Sequence, residues 1–379
     1  MLATQKFNTR GQRINASRVL AISVFLGTTL NVAEASTMSS RLCVQTFNAY
    51  GPAYAANLEE RTSILGRELE KFPCEIIQLQ EVWTEDHHIG ASEALGQSLP
   101  ALSAARFDDF QKPHIGQSGL AIFTSEVLSN PRFEMFNENQ DGLLDQIRAV
   151  FGVIKGIGSS LVTLRRDENI SLQLMNVHLH PSSQEVRITQ VVQILENIER
   201  RLPLSKPLII SGDFNFKPDS AEYALLRDVS GLTDSYAASN DGYSSQTCTY
   251  CISNPNHWPG VDGVLDYIWF KSSTLTKVEP SHSFINLIGM NGIAPSDHYG
   301  VRTYFNVARV APKTLDEVDH QARISAAISS IKGAIAALDE SSGQTPTRSD
   351  TRQKLTAYLR RFMDRSLEID SLITNLKFE

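Results

Sequence analysis

The chain has 379 residues, of which 41% are hydrophobic and 20% charged, and its formal net charge is −7. This hydrophobic content is ample for a folded core, and the length allows one large domain with an appendage or two domains. An acidic protein has no general electrostatic attraction for nucleic acid, so composition makes nucleic acid the less favoured partner unless a local basic groove binds it.

The N-terminal segment has the pattern of a secretory signal. Four basic residues precede the apolar run 19–30, and Ala33 and Ala35 supply the small side chains of a cleavage site. The run is shorter than the about 20 residues of a comfortable membrane span, although an uncleaved anchor is the alternative. We therefore predict that residues 1–35 are a signal peptide and that the protein is exported, whether secreted, periplasmic or on the outer surface.

The chain contains four cysteines, Cys43, Cys74, Cys248 and Cys251. Zinc binding by Cys248 and Cys251 is disfavoured, because no second pair of cysteines or histidines follows at zinc-site spacing. In an exported chain the four could form two disulfides, one or none, and the sequence leaves that choice open.

The first segments predict a βαβ-like unit. A strand over 42–47 ends in a turn at Asn48, an amphipathic helix begins near Asn57, and a second strand over 75–80 ends at Glu81. Parallel strands joined by a helix end at the same edge of a sheet. We therefore expect Asn48 and Glu81 to lie at one edge.

The most informative stretch is PLIISGDFNFKPDS, residues 207–220. Its apolar run 208–210 predicts a buried strand, and Asp213 and Asn215 follow with one residue between them. Side chains at i and i+2 of an extended segment point the same way. A carboxylate can hold a hard cation and an amide can orient water or a phosphate oxygen, although a turn-forming pair is the commoner interpretation of this pattern alone.

Several other segments also end in, or carry, polar groups. Further strands are predicted at 119–125, 159–164, 171–177, 263–270 and 299–305, and helices at 184–202 and 221–226. The polar residues on strands or at their ends are Asn48, Glu81, His178, Asp213, Asn215, Asp266, Asp297 and His298. Each alone could be a turn former, a helix-start acid or a core histidine. Together, acids and two imidazoles suit metal-assisted attack of water on a phosphate ester.

Beyond about residue 311 the pattern becomes helical. Apolar residues recur every three or four positions in two segments, which are separated by a polar linker over 341–348. This spacing predicts a helical hairpin or coiled-coil arm over 312–379. Packing or self-association is its expected role, since it carries none of the polar residues above.

A resemblance to a known family rests on six segments, which read in chain order TFNAYG, QLQEVW, NVHLHP, SGDFNFKP, LDYIWF and PSDHYG. They resemble the endonuclease/exonuclease/phosphatase superfamily, and we assign the domain to residues 41–307. The resemblance implies an α/β fold, a four-layer α/β/β/α sandwich of the DNase I-like type, followed here by the C-terminal helical hairpin.

The resemblance also implies a metal site. Glu81 would be the main Mg²⁺ ligand with Asn48 close by, and Mn²⁺ is a possible substitute. Asp213 and Asn215 would position the phosphate and the attacking water. Several nucleases of the superfamily carry a second acid shortly after the first Asn, but Ala49 stands at the start of that place here.

The remaining polar residues acquire catalytic roles through the same resemblance. His298 would be the general base, oriented by Asp266, and Asp297 would complete the metal or histidine shell. His178 would contact the phosphate or assist the leaving group. Lys155 occupies a place similar to the loop that carries a catalytic lysine in neutral sphingomyelinases.

The finer resemblance is to secreted neutral sphingomyelinases, through GDFNFKPDSAEYALLRDVSGLTDSY and TCTYCISNPNHW. It implies a Mg²⁺-dependent enzyme that hydrolyses sphingomyelin to ceramide and phosphocholine, with a phospholipid or sphingolipid substrate at a membrane surface. The apolar stretch 283–293 would then be a membrane-entering hairpin, with a buried strand as the equally weighted alternative. The other functional hypotheses are a secreted DNase-like endonuclease and a catalytically silent scaffold of the same fold.

Overall fold

The computed structural model describes most of the chain from residue 39 onward. The described ranges are 39–51, 56–71, 73–97, 99, 102–107, 117–138, 154–201, 205–257, 260–289, 292–311, 317–340 and 345–376. The predicted signal peptide, residues 1–35, lies outside them. The described residues belong to one compact unit, Thr37–Glu379.

Twelve strands form two six-stranded sheets in the described residues. Sheet I contains β1 (Ser40–Asn48), β2 (Ile76–Gln80), β3 (Ser103–Arg106), β4 (Ala121–Thr124), β11 (Thr276–Asn286) and β12 (Gly300–Arg309), in the order β11-β12-β1-β2-β4-β3. Sheet II contains β5 (Val127–Met135), β6 (Gly156–Leu164), β7 (Asp167–His178), β8 (Leu208–Asp213), β9 (Thr233–Asp234) and β10 (Asp266–Lys271), in the order β5-β6-β7-β8-β10-β9.

Helices cover the outer face of each sheet. They are α1 (Leu58–Lys71), α2 (Glu85–Gly96), α3 (Gln184–Arg201), α4 (Ala221–Ser230), α5 (Ser235–Ser239), α6 (Glu317–Asp339) and α7 (Pro346–Leu376). Apolar side chains of α1 and α2 pack on sheet I, those of α3 and α4 pack on sheet II, and a third cluster fills the space between the sheets. These layers confirm the predicted α/β/β/α sandwich of the DNase I-like type.

Strand direction places the predicted site residues at one edge. The pairs β1–β2 and β7–β8 are parallel, whereas β10 runs antiparallel to β8 and β12 antiparallel to β1. The carboxyl ends of β1, β2, β7 and β8 therefore lie beside the amino ends of β10 and β12. Every one of these strand ends carries or adjoins a predicted site residue.

The C-terminal helices pack on the domain. Ile331, Leu338, Leu355 and Tyr358 are buried in the same cluster as the apolar face of α3. A buried ion pair joins α7 to the segment after β5, with Arg348 Nε 3.1 Å from a carboxylate oxygen of Glu138. The helical hairpin is confirmed, and part of its apolar face packs on the domain, whereas Met363 and Leu367 are exposed. Self-association stays a prediction.

The stretch predicted to enter a membrane is part of sheet I. Its first residues end the edge strand β11, where Phe284 pairs with Arg302 of β12. Leu287 is 2% exposed and packs in the core cluster of sheet I, whereas Ile288 is 62% exposed. Only the first residues of the stretch are strand, since β11 ends at Asn286, and residues 290–291 lie outside the described residues. The burial of Leu287 contradicts a hairpin that inserts both side chains, and the exposure of Ile288 contradicts a fully buried strand. Across the described residues no helix combines the length and hydropathy needed to cross a bilayer.

All four cysteines are paired. One disulfide joins Cys43 to Cys74 and the other joins Cys248 to Cys251. The first ties β1 to the segment before β2, across a sequence separation of 31. The second closes a loop in which the two cysteines are only 3 positions apart.

Candidate functional site

Three predicted residues stand side by side in sheet II. In the register of β7, β8 and β10, His178 is opposite Asp213, and Asp213 is opposite Asp266. All three are at most 2% exposed. Burial raises the pKa of Asp213 above its ordinary value, because a charge at this position loses its hydration and faces Asp266.

Asn48 joins sheet I to this row. Its Nδ2 donates to Glu81 Oε1 at 3.1 Å and to Asp213 Oδ2 at 3.0 Å, while its Oδ1 accepts from the backbone of Tyr50. One amide therefore holds the acids of both sheets at a shared point. The side chain of Glu81 is 20% exposed, which makes it the acid of this group that is open to solvent.

His298 forms the expected pair with Asp266. Its Nδ1 is 2.8 Å from Asp266 Oδ2, and its Nε2 is 3.8 Å from Asp213 Oδ2. Burial opposes a charged ring, but the carboxylates of Asp266, Asp213 and Asp297 outweigh it and raise the pKa of His298 well above its ordinary value. The pair is the arrangement that a histidine acid–base group needs, with one nitrogen held and the other facing the site.

Lys155 and His178 also meet here. Lys155 Nζ is 2.5 Å from His178 Nε2, and His178 Nε2 is 3.5 Å from Asp213 Oδ2. Burial and the adjacent ammonium lower the pKa of His178 well below its ordinary value, so the ring is neutral and accepts from the lysine. The lysine thereby brings a positive charge to the acidic edge.

The backbone is strained where several of these strands end. Tyr50, Glu81 and Asn215 all have positive φ, at 45°, 59° and 52°. This conformation is uncommon outside glycine and is found repeatedly at functional sites. Asn215 is also held by its Nδ2, which donates to Leu179 O at 3.0 Å and ties the loop after β8 to the loop after β7.

Asp297 lies at the edge of the group. Ser296 Oγ donates to its Oδ1 at 3.1 Å, and the same serine oxygen accepts from the backbone N–H of His298. Burial raises the pKa of Asp297 to about 6, and nearby Glu81 adds to the shift. The structure thus brings all nine predicted site residues to one edge of the sandwich.

The donor set at this edge fits a hard divalent cation. Ligand atoms of Asp213, Asp266 and His298 lie within 4.8 Å of one another, but Asp266 and His298 are hydrogen-bonded to each other, so Asp213 is the carboxylate of this group that suits a cation. Glu81 adds an accessible carboxylate through its bond to Asn48. Oxygen-rich, buried negative charge is the environment that Mg²⁺ prefers, and thiolate ligands are missing because both cysteine pairs are oxidised.

Sequence reasoning missed the residues that support the site from behind. Arg61, 2% exposed on α1, donates to the carbonyls of Ala49, Tyr50 and Pro295, which joins the Asn48 turn to the loop before His298. The available signal was a basic residue at helical spacing on the apolar face of α1.

A buried polar contact between the sheets was also missed. Gln80 Nε2 donates to Asn176 Oδ1 at 2.8 Å, and the Asn176 amide donates to the carbonyls of Leu79 and Ala121. Both polar side chains are fully buried. Alternation along a strand does not reveal them, because a strand inside a sandwich is buried on both faces.

A DNase I-like sandwich with paired acids and histidines at its strand ends is suited to the hydrolysis of phosphate esters. Comparison with known proteins agrees with that chemistry. The model of the endonuclease/exonuclease/phosphatase family matches residues 46–298, and the chain belongs to this family. Enzymes of the family hydrolyse phosphodiester bonds and depend on a divalent metal.

The curated relatives that match the chain include exoribonuclease subunits. The CCR4-Not complex 3'-5'-exoribonuclease subunit Ccr4 of Mycosarcoma maydis is 21% identical over 348 residues, which cover 74% of this chain and 50% of that protein. The same subunit of Schizosaccharomyces pombe is 20% identical, over 72% of this chain and 48% of that protein. The chain therefore spans about half the length of these relatives.

Solved structures share the fold. TDP2 of D. rerio, solved with a single-stranded DNA product, has a TM-score of 0.56 at 20% identity and covers 70% of this chain and 99% of that one. Beta toxin of Staphylococcus aureus has a TM-score of 0.53 at 14% identity and covers 69% of this chain and 99% of that one. A beta-toxin variant with the same TM-score was solved with bound magnesium ions.

These findings contradict the predicted lipid partner and support the predicted resemblance to sphingomyelinases only in part. The predicted phospholipid or sphingolipid partner is wrong, because the matching relatives are named as ribonucleases and the DNA complex is of TDP2. The specific resemblance to sphingomyelinases is supported only at the level of the shared fold. The misleading signal was the string after β8, since short Gly- and Asp-rich motifs recur throughout one superfamily.

Proposed function

We propose that this protein is a metal-dependent phosphodiesterase that acts on single-stranded nucleic acid. The observation that carries this proposal is the alignment with exoribonuclease subunits over about three quarters of the chain. The geometry agrees with it, because the region that matches the family model, residues 46–298, contains a hydrogen-bonded histidine–aspartate pair beside a buried acid. This proposal corresponds to the nuclease alternative of the sequence analysis.

His298 is the proposed general base. Asp266 accepts from Nδ1, so Nε2 faces the site and can take a proton from water. Glu81 and Asp213 would hold a divalent cation, which would supply positive charge to these carboxylates and to the phosphoryl oxygens. The carboxylates of Asp266, Asp213 and Asp297 raise the pKa of His298, so a counter-charge beside them would favour the neutral ring that a base requires.

Lys155 and His178 are the proposed partners of the phosphate. The ammonium of Lys155 is directed at the site by His178, which accepts from it as a neutral ring. A fixed positive charge at this point stabilises negative charge that develops on phosphoryl oxygens. Asn215 completes this side, because its backbone N–H donates to Asp213 Oδ1 and its Nδ2 donates to Leu179 O.

Trp83 provides a surface suited to an unpaired base. Its ring is half-buried, its Nε1 donates to Glu81 Oε2 at 3.4 Å, and its centroid lies 6.2 Å from that of His178. Bases of single strands stack on aromatic side chains without sequence preference. A net charge of −7 gives no general attraction for a nucleic-acid backbone, so we assign recognition of the single strand to stacking on Trp83 and to the local charge of Lys155.

Matched oligonucleotides test the proposal. Single-stranded RNA, single-stranded DNA and duplex DNA of one sequence are incubated with purified protein and Mg²⁺, with EDTA as the metal-free arm. We expect cleavage of a single strand that EDTA abolishes and added Mg²⁺ or Mn²⁺ restores. The His298→Ala protein controls for contaminating nucleases. Full cleavage in EDTA, or equal cleavage by His298→Ala, contradicts the proposed chemistry, and cleavage of duplex alone contradicts the proposed substrate.

We also propose that the protein functions in an oxidising compartment. Two disulfides use every cysteine of the chain. Stable disulfides are rare in reducing cytosol and common in exported proteins. Titration of free thiols in protein isolated without reductant is the test, and four titratable thiols would contradict the proposal.

A further inference from the structure

The loop closed by Cys248 and Cys251 lies against both halves of the histidine–aspartate pair. Thr249, between the two cysteines, is fully buried. Its Oγ1 accepts from the backbone N–H of Leu265 at 2.9 Å and of Asp266 at 3.2 Å. Its carbonyl accepts from the N–H of Tyr299, the residue after His298. One residue therefore bonds the backbone beside each member of the pair.

Tyr250 adds a contact with the imidazole itself. Its ring centroid lies 5.0 Å from that of His298, and the ring of His257 packs on it at 4.2 Å. The backbone of Tyr250 is held by Gly263 in both directions, at 2.9 and 3.0 Å. The ring is thus fixed in a stack that restricts rotation of the His298 side chain.

The disulfide keeps these two residues in place. With cysteines on either side, Thr249 and Tyr250 form a closed loop of very few residues. Cys251 is 2% exposed, so the bond lies within the packed structure. An open loop could shift Thr249 away from β10 by rotation about the freed backbone, whereas a closed one cannot do so without straining the ring.

We propose that Thr249 is a positioning residue for the Asp266–His298 pair and that the Cys248–Cys251 disulfide holds Thr249 in its position. The Thr249 hydroxyl accepts from Asp266, the first residue of β10, and the Thr249 carbonyl accepts from Tyr299, which directly precedes β12. This inference rests on the proposed role of His298 as a base. It assigns no contact with substrate to Thr249, Cys248 or Cys251.

The decisive comparison is Thr249→Val against Thr249→Ser. Valine matches the shape of threonine but cannot accept from the two N–H groups, whereas serine keeps the hydroxyl. A displacement of about 1 Å at a catalytic group costs on the order of 100-fold in rate. We expect kcat of Thr249→Val to fall about 10- to 100-fold with KM nearly unchanged. Thr249→Ser should restore most of kcat.

Two measurements separate this inference from the proposed function. Hydrogen exchange of the Leu265 and Asp266 amides reports the hydroxyl contact without any substrate, and it should speed up in Thr249→Val but not in Thr249→Ser. Turnover of bis-p-nitrophenyl phosphate with Mg²⁺ reports the chemistry even if no nucleic acid is cleaved. Faster exchange with normal kcat overturns the positioning role, as does an equal loss of kcat in both variants.

The disulfide is tested with the second cysteine pair as its control. Cys248→Ser with Cys251→Ser should lower kcat in the same direction as Thr249→Val and speed exchange of the Asp266 amide. Cys43→Ser with Cys74→Ser removes a bond of the same kind elsewhere and should leave kcat close to that of the unaltered protein. Equal kcat in both double variants overturns the proposed role of the Cys248–Cys251 bond.

Discussion

The two disulfides of this protein do different physical work. Cys43–Cys74 links segments 31 positions apart, and the chain-entropy model assigns roughly 4 kcal/mol of stability to a loop of that length. Cys248–Cys251 spans 3 positions, for which the same model gives roughly 2 kcal/mol. The shorter loop contributes less stability but lies beside the site, because the residues that it encloses hold Asp266 and the segment of His298. Loop length thus decides how much a disulfide stabilises the frame, and contacts decide whether it affects catalysis.

This contrast divides the molecule into a frame and a catalytic edge. The frame consists of the helices and apolar clusters, including the Cys43–Cys74 region. The catalytic edge consists of the strand ends and the Cys248–Cys251 loop. Substitutions in the frame should change the free energy of unfolding, whereas substitutions at the edge should change turnover.

The largest effect is expected from removal of the C-terminal helices. A chain ended near Ala311 loses the core contacts of Ile331, Leu338 and Leu355, and each large apolar side chain contributes about 1.5–3 kcal/mol when fully buried. We expect a loss of roughly 5–10 kcal/mol, comparable with the whole stability of a typical domain. Circular dichroism and urea unfolding measure it.

A pair of point variants refines the same prediction. Leu355 is fully buried on α7, and Leu367 on the same helix is 68% exposed. Leu355→Ala should cost about 2–5 kcal/mol, while Leu367→Ala should cost far less. A truncated chain with unchanged stability and turnover would show that these helices are an independent appendage.

The next effect concerns the catalytic edge. His298→Ala should lower kcat by about 10²–10⁴-fold, because a positioned general base contributes that much. The melting temperature should change little compared with the helix truncation. Asp266→Asn should lower kcat less, since it keeps a hydrogen-bonding group opposite His298 but favours the wrong tautomer. Normal turnover of His298→Ala would show that this residue is not the general base. It would also contradict the expectation that substitutions at the catalytic edge lower turnover.

The two cysteine pairs test the contrast directly. Replacing Cys43 and Cys74 by serine should cost roughly 4 kcal/mol of stability, about twice the cost of replacing Cys248 and Cys251. Urea unfolding at constant pH and kcat on one phosphodiester are measured for both double variants. The frame pair should lose more stability and the edge pair more turnover; the reverse order in either quantity contradicts the division.

The smallest effect is a pH dependence of stability through His87. This residue of α2 is 4% exposed, and burial, followed by the charge of Arg61, lowers its pKa to about 4. In the unfolded chain His87 binds a proton near pH 6.5, whereas in the folded state it binds one only near pH 4. The contribution of neutral His87 to the free energy of unfolding is therefore fully present above pH 6.5 and is lost as the pH falls toward 4. At pH 5 the loss amounts to about 2 kcal/mol.

Urea unfolding at pH 7.5 and pH 5 measures this effect. His87→Gln should reduce the difference between the two pH values, with His282→Gln at an exposed site as the control. An unchanged difference in His87→Gln would show that other groups cause the acid sensitivity.

Local patterns in the sequence predicted many of the strands and helices and eight of the nine candidate residues, whereas the four-layer architecture and the role of Lys155 rested on the family resemblance. The runs that became β1, β2, β7, β8, β10 and β12 each carry their polar group at or beside a strand end, and the βαβ pattern of the first two placed Asn48 and Glu81 at one edge. Alternation and turn residues determine such segments through interactions within a few residues. Helix α2 was missed because its sequence, EDHHIGASEALG, has mixed periodicity and its start is specified by a cap from Thr84.

Only the tertiary structure decided which groups support the site and which surfaces are covered. The Thr249 contact with Asp266 crosses 17 positions and the Arg61 contact with Pro295 crosses 234, distances over which no periodicity in the sequence carries information. The sequence left open whether 283–293 is buried and whether the C-terminal helices pack on the domain, because burial depends on a second segment. The hydrophobic character of a side chain indicates that it favours leaving water. Only the folded chain determines what that side chain packs against.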